Sequence, residues 1–314
     1  MDFDVFNGDA DGIIALVQLR RADPRPDAKL VTGRKRDINL LDRVDAAQGD
    51  RVTVLDISMR SNMQDLNRIL ESGADVFYCD HHNAGDIPKH PNLQSIIDAS
   101  PETCTAVLVD QHLNGAYRAW AVTAAFGDNF PKVARVLSKD LSLPLGDLER
   151  LGILVNYNGY GASVDDLHFH PADLYRHLSE YDTPMAFLSD GREIYRRLDD
   201  GYKADMAGAY AAKVLDETGQ GIVLVLPGTA SSRRVSGVFG NALAQEHPDR
   251  AHAILTEQEG GYLVSVRAPL SRRSGADDLV LQFETGGGRA AAAGINHLPE
   301  ADTTRFVEAF RTAF

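Results

Sequence analysis

The stretch VFYCDHHNAG (76–85) begins as an apolar run and breaks off into Asp80, His81 and His82, side by side. The run is long enough for a buried strand and too short for a helix. A solvated turn has no use for two adjacent imidazoles beside a carboxylate. A metal or phosphate site does.

The segments on either side share this rhythm. FDVF (3–6), AKLVTG (28–33), RVTVLDIS (51–58), ADVFYCD (74–80) and LQSIID (93–98) read as five strands. GIIALVQLRRA (12–22) and MQDLNRILESG (63–73) read as helices between them. Alternation of this kind predicts an α/β domain with right-handed crossovers and a mostly parallel sheet. From about 102 to 217 the pattern turns helical, and after LDETGQG (215–221) it resets to strands and helices. The expected organisation is a domain over 1–180, a helical connector over 181–217 and a smaller α/β domain over 218–314.

The chemistry gathers at the strand ends. The first strand runs into Asp9 and Asp11 in NGDADG, the third ends at Asp56, and the fourth at Asp80, His81 and His82. In an open parallel sheet the carboxyl ends of the strands form one ligand crevice. Carboxylates converging there repel one another and require either protonation or cations. Asp with His suits a divalent ion such as Mn²⁺, and enough ligands exist for two. Taken singly, D-x-D before glycine is an ordinary turn and Asp56 an ordinary helix cap.

In this order, NGDADG, LDIS, DHH and AAFGDN resemble the motifs of the DHH phosphoesterase superfamily, while SVRAP and GGGRAAAAG resemble its DHHA1 substrate-binding domain. The resemblance spans essentially the whole chain. It implies a DHH α/β domain, a helical connector and a DHHA1 domain facing the first across a cleft. It implies a phosphodiester hydrolase using two Mn²⁺ ions, with Mg²⁺ or Co²⁺ as substitutes. Asp9 would bind one metal, Asp11 and His81 the other, and Asp56 would bridge them, with Asp128 of AAFGDN as a further ligand completing the shell of the second metal. His82 would touch the scissile phosphate, so Asp56, His81 and His82 form the expected catalytic set. Arg267 and the amides of Gly286, Gly287 and Gly288 would hold the substrate's far phosphate. Two departures stand out. No His precedes Asp9, where Asn7 stands nearby, which implies weaker binding of the first metal. Arg289 follows the glycines where the family usually has His; it still suits phosphate.

Other segments leave two readings open. Arg34, Lys35 and Arg36 in GRKRD are either a solvated turn or a phosphate grip at the crevice rim. NYNGYG (156–161) is either a helix stop or a base-stacking element, and Asn156 carries no charge to serve as the family's metal-binding Asp. His168 and His170 have metal-like spacing without supporting carboxylates, and Trp120 reads as core.

The chain has 314 residues and a net charge of −13, which disfavours a long nucleic-acid ligand. No membrane-span-length apolar run and no signal peptide are read, and two cysteines fit a reducing cytoplasm. The expected partner is a short nucleotide: a linear dinucleotide such as pGpG or pApA, or nano-RNA. A homodimer is compatible with the sequence. The alternatives are a RecJ-like single-strand exonuclease and a catalytically weak dinucleotide sensor.

Overall fold

The computed structural model describes all 314 residues, which form two compact units, Met1–Asp200 and Gly201–Phe314. The first unit opens with β1 (Asp2–Phe6), α1 (Ala10–Ala22), β2 (Lys29–Val31), β3 (Arg51–Leu55), α2 (Met63–Glu71), β4 (Asp75–Asp80) and β5 (Leu93–Ile97). All five expected strands are present, in the order β2-β1-β3-β4-β5, and every pairing is parallel. β-Branched residues bury the middle of the sheet. Val52, Val54, Val76 and Tyr78 pack with Leu66, Ile69 and Leu70 of α2 in one cluster. α1 is buried along almost its whole length, so it shows no polar face.

The helices that cover it are α3 (Thr105–His112), α4 (Arg118–Gly127), α5 (Pro131–Leu137), α6 (Leu145–Asn158), α7 (Pro171–Ser179) and α8 (Pro184–Asp190). Trp120 is fully buried in α4, as expected. α4 and α6 touch backbone to backbone. A Cβ on Gly152 would sit 2.2 Å from the Thr123 carbonyl, and one on Gly127 would sit 2.6 Å from the Gly152 carbonyl. Only glycine permits that approach, and it sets the position of the next residue, Asp128. α9 (Arg192–Tyr210) runs across the division between the units, which falls inside the stretch 181–217.

The second unit holds β6 (Lys213–Glu217), β7 (Gly221–Leu226), α10 (Ala230–Glu246), β8 (Ala251–Gln258), β9 (Gly261–Arg267), α11 (Ala276–Val280), β10 (Gly286–Arg289), β11 (Ala292–Pro299) and α12 (Thr303–Ala313). Its sheet runs β10-β11-β9-β8-β7-β6, with β7 and β8 parallel and the other pairs antiparallel. Two segments differ from the sequence reading. Residues 213–217, read as the end of the helical stretch, form edge strand β6. Val214 and Leu215 are exposed there, so the ladder to β7 rather than a buried face holds the segment. The glycines 286–288, which the sequence reading did not place in a strand, form edge strand β10, hairpinned to β11. A Cβ on Gly286 would fall 1.7 Å from the Val280 carbonyl, which explains a glycine at that point. No helix is long and apolar enough to cross a membrane, and Cys79 and Cys104 are free and buried.

Candidate metal centre

The strand order reverses at β1: β2 lies on one side and β3 to β5 on the other. Such a switch point opens a crevice at the carboxyl ends of β1 and β3. Asp9 caps α1, its Oδ1 accepting from the amides of Asp11 (3.0 Å) and Gly12 (3.1 Å). Asp11, in the first turn of α1, accepts from the amides of Thr105 and Ala106 at the start of α3, both at 2.7 Å. These four N–H groups pin two carboxylates where side-chain rotation would otherwise scatter them. The α3 amino terminus also offsets part of the Asp11 charge.

Asp56 follows β3 with φ of +57°, a left-handed conformation that costs a non-glycine residue of order 1 kcal/mol or more. Its amide donates to the Cys79 carbonyl at 3.1 Å, which fastens it to β4. Burial, and then the carboxylates of Asp11, Asp9, Asp128 and Asp80, push the Asp56 carboxyl well above the usual range. Burial also raises Asp128 against the pull of Lys35.

His81 is the orienting piece. Its Nδ1 lies 3.2 Å from the Thr103 carbonyl, an atom that only accepts, so Nδ1 is the donor. In the neutral ring Nε2 then holds the lone pair, aimed at Asp56 Oδ1 (3.5 Å), Asp11 Oδ2 (3.9 Å) and Asp128 Oδ2 (3.9 Å). A ring tied to a carbonyl on one nitrogen and open on the other is the arrangement of a metal-ligating histidine. Asp11, His81 and Asp128 bring ligand atoms within 4.8 Å of one another, as do Asp56, His81 and His82. This side of the cluster fits a divalent ion.

His82 is half exposed, and its Nδ1 meets Asp80 Oδ1 at 2.7 Å. Burial lowers its affinity for a proton, but the bond to Asp80 and the charge of that carboxylate outweigh this, and its pKa is raised. Asp80 is fully buried, and its Oδ2 lacks a hydrogen-bond partner.

The other side of the cluster differs. Lys35 Nζ donates to Asp9 Oδ2, to Asp128 Oδ1 (3.2 Å) and to Asn156 Oδ1 (3.2 Å). Burial disfavours that ammonium, yet the charges of Asp9, Tyr160 and Asp128 hold its pKa well above the ordinary lysine value. Burial likewise works against the Asp9 carboxylate, but Lys35 outweighs it and keeps its pKa low. Asn7 donates through Nδ2 to the Lys35 carbonyl at 3.2 Å, while its buried Oδ1 lacks a partner. Lys35 was expected at most as part of a phosphate grip at the crevice rim and Asn156 as part of a base-stacking element; neither was expected among the carboxylates. The position of GRKRD directly after β2, beside the switch point, was the available signal.

The basic cluster is therefore three residues with three fates. Arg34 is committed to Asp37 through its backbone amide (2.8 Å) and its guanidinium, Lys35 enters the carboxylate cluster, and Arg36 is exposed. His168 faces the Tyr157 hydroxyl at 2.7 Å, and His170 caps α7, accepting from Ala172 N. In the second unit Arg267 reaches Asn241 Oδ1 (2.8 Å), Ser265 Oγ (3.0 Å) and the Gly237 carbonyl (3.3 Å). Gly287, Gly288 and Arg289 are exposed on β10.

No protein-family model matches the sequence, and no curated protein matches it. Solved structures do. The DHH domain of a member of the S1p family of ribosomal proteins superposes with a TM-score of 0.63 at 14% identity, covering 99% of this chain and 85% of that one. Exonuclease RecJ bound to manganese gives 0.62 at 18% identity, covering 99% and 89%. The pGpG-specific phosphodiesterase PggH from Vibrio cholerae gives 0.56 at 16%, covering 99% and 98%. The chain shares the fold of these structures.

Proposed function

We propose that the protein is a hydrolase, a divalent-metal-dependent phosphodiesterase that cleaves short nucleotides to nucleoside monophosphates. The observation that carries this is the His81 ring, tied through Nδ1 to Thr103 and open through Nε2 toward Asp56, Asp11 and Asp128. The neighbours support the reading at the level of class, since one is named as an exonuclease and one as a dinucleotide phosphodiesterase.

Asp11, Asp56, His81 and Asp128 would hold the ion, for which we propose Mn²⁺, with Mg²⁺ or Co²⁺ as substitutes. Bound there, it supplies Lewis acidity toward a phosphoryl oxygen and acidifies water. The protein supplies the rest. Asp56 keeps its strained backbone so that its carboxylate faces into the cluster. His82, held by Asp80 through Nδ1, presents its other nitrogen to the scissile phosphate and stabilises charge that builds on it. In the second unit, Arg267, Arg289 and the amides of Gly286 to Gly288 are the proposed contacts for the substrate's distal phosphate. The net charge of −13 favours a dinucleotide or nano-RNA over a long strand. Two buried free cysteines fit a cytoplasmic location.

The test is hydrolysis of a ladder of 5′-phosphorylated RNA oligomers with Mn²⁺, from the dinucleotide upward. The dinucleotide should be cleaved fastest, and Asp56→Asn should lower the rate by about 10³-fold or more. Rates that climb with length would favour the exonuclease alternative. Binding without turnover would leave a sensor.

A further inference from the structure

We propose that the Lys35 ammonium is the resident cation of the Asp9 side of the crevice, so that the chain takes a single divalent ion per site and not two. This rests on the metal-dependent reading above and sharpens it.

An ammonium has three N–H donors and no acceptor. Lys35 Nζ finds three acceptors: Asp9 Oδ2, Asp128 Oδ1 and Asn156 Oδ1. Its donor capacity is therefore filled by the side chains that would face a first metal. A divalent ion in the same place would meet a like charge at contact distance, so ion and ammonium exclude each other.

The backbone around the lysine is held from two directions. Its amide donates to the Gly159 carbonyl at 2.9 Å, and its carbonyl accepts from Asn7 Nδ2 at 3.2 Å. The ammonium also lies 5.7 Å from the Tyr160 ring centroid. Asn7 thus has a second reading. It fastens the loop that delivers the lysine, which differs from the weak metal ligand expected from sequence.

The ligand charges agree. A divalent ion is held most firmly where several charged carboxylates meet, and this side has Asp9 and a shared Asp128 with the neutral Asn156, all three already accepting from Lys35 Nζ. A singly charged cation needs less negative charge around it. The opposite side keeps Asp11, Asp56 and His81 for the divalent ion, and Asp128 serves both sides, Oδ1 toward Lys35 and Oδ2 toward His81.

Metal stoichiometry decides the matter without any substrate. The full chain is stripped with chelator, titrated with Mn²⁺ calorimetrically, and examined by electron paramagnetic resonance. One ion per chain, with the hyperfine pattern of an isolated Mn²⁺, is expected. Lys35→Ala should raise the stoichiometry to two and give a spin-coupled pair, whereas Lys35→Arg should keep it at one. Two coupled ions in the native chain would overturn the inference and leave the phosphodiesterase reading standing. No bound ion in the native chain would overturn both. The native-chain result is decisive even if Lys35→Ala fails to fold.

Discussion

The two ends of the five-stranded sheet use the same kinds of side chain to opposite effect. At the amino end, Asp2 pairs with Arg51 (2.7 Å), Arg25 with Asp23 (2.7 Å), and the amino terminus with Asp50, all at least partly exposed. Each charge there has a partner and water nearby, and pairs of that kind contribute little to stability. At the carboxyl end, Asp9, Asp11, Asp56 and Asp80 are all 2% exposed or less. With Asp128 they outnumber the one lysine that reaches them. Burying unmatched charge costs several kcal/mol per ion after relaxation. Between those ends, Asp4 shows what matching achieves in the interior: it is buried, but Arg20 (2.6 Å) answers it and also bonds Thr53. The excess at the carboxyl end is what the proposed divalent ion would neutralise.

Three substitutions probe that contrast, beginning with the largest effect. Removing the anchor of His82 by Asp80→Asn should lower the rate of the proposed phosphodiester hydrolysis by about 10–100-fold, in the range of losses seen when residues supporting a metal site are changed. Because Asp80 raises the His82 pKa, the alkaline limb of the pH–rate profile should shift to lower pH in the variant. An unmoved limb would remove His82 from the reaction.

The second concerns the cost of the cluster itself. Asp56 has a folded-state pKa above its unfolded value, so the stability it contributes is fully present below the unfolded pKa and lost as pH rises toward the folded one. In chelator, the native protein should therefore weaken as pH rises from about 4 toward neutrality. Asp56→Asn should flatten part of that decline and raise Tm near neutral pH by about 2–6 °C. Added Mn²⁺ should reverse the order, stabilising the native chain and not the variant. A chelated variant that melts below the native protein would deny that the cluster is strained.

The smallest effect belongs to the amino end. Asp2→Asn should leave activity unchanged and move Tm by less than about 2 °C, as measured by calorimetry. A large shift there would erase the contrast between the two ends.

The strands were legible because each is a short β-branched run bounded by turn residues, a pattern that local geometry enforces. That Asp9, Asp11, Asp56, His81 and Asp128 would gather in one place was legible because strand ends and a motif order marked them. Strand β6 was not, since Val214 and Leu215 are exposed and only its pairing with β7 makes it a strand. Lys35 was seen only as one of three neighbouring charges, and nothing local separates it from Arg34 and Arg36.

The sequence by itself determined the alternation of strands and helices, the parallel sheet and the donor types at its carboxyl end. These follow from spacing over a few residues, the reach of backbone geometry and side-chain periodicity. Only the tertiary structure decided which cation enters the cluster and which nitrogen of His81 faces it. Lys35 meets Asp128 across 93 residues of chain and Asn156 across 121. Contacts at that separation exist only once α4 and α6 have closed, glycine to glycine, behind the sheet.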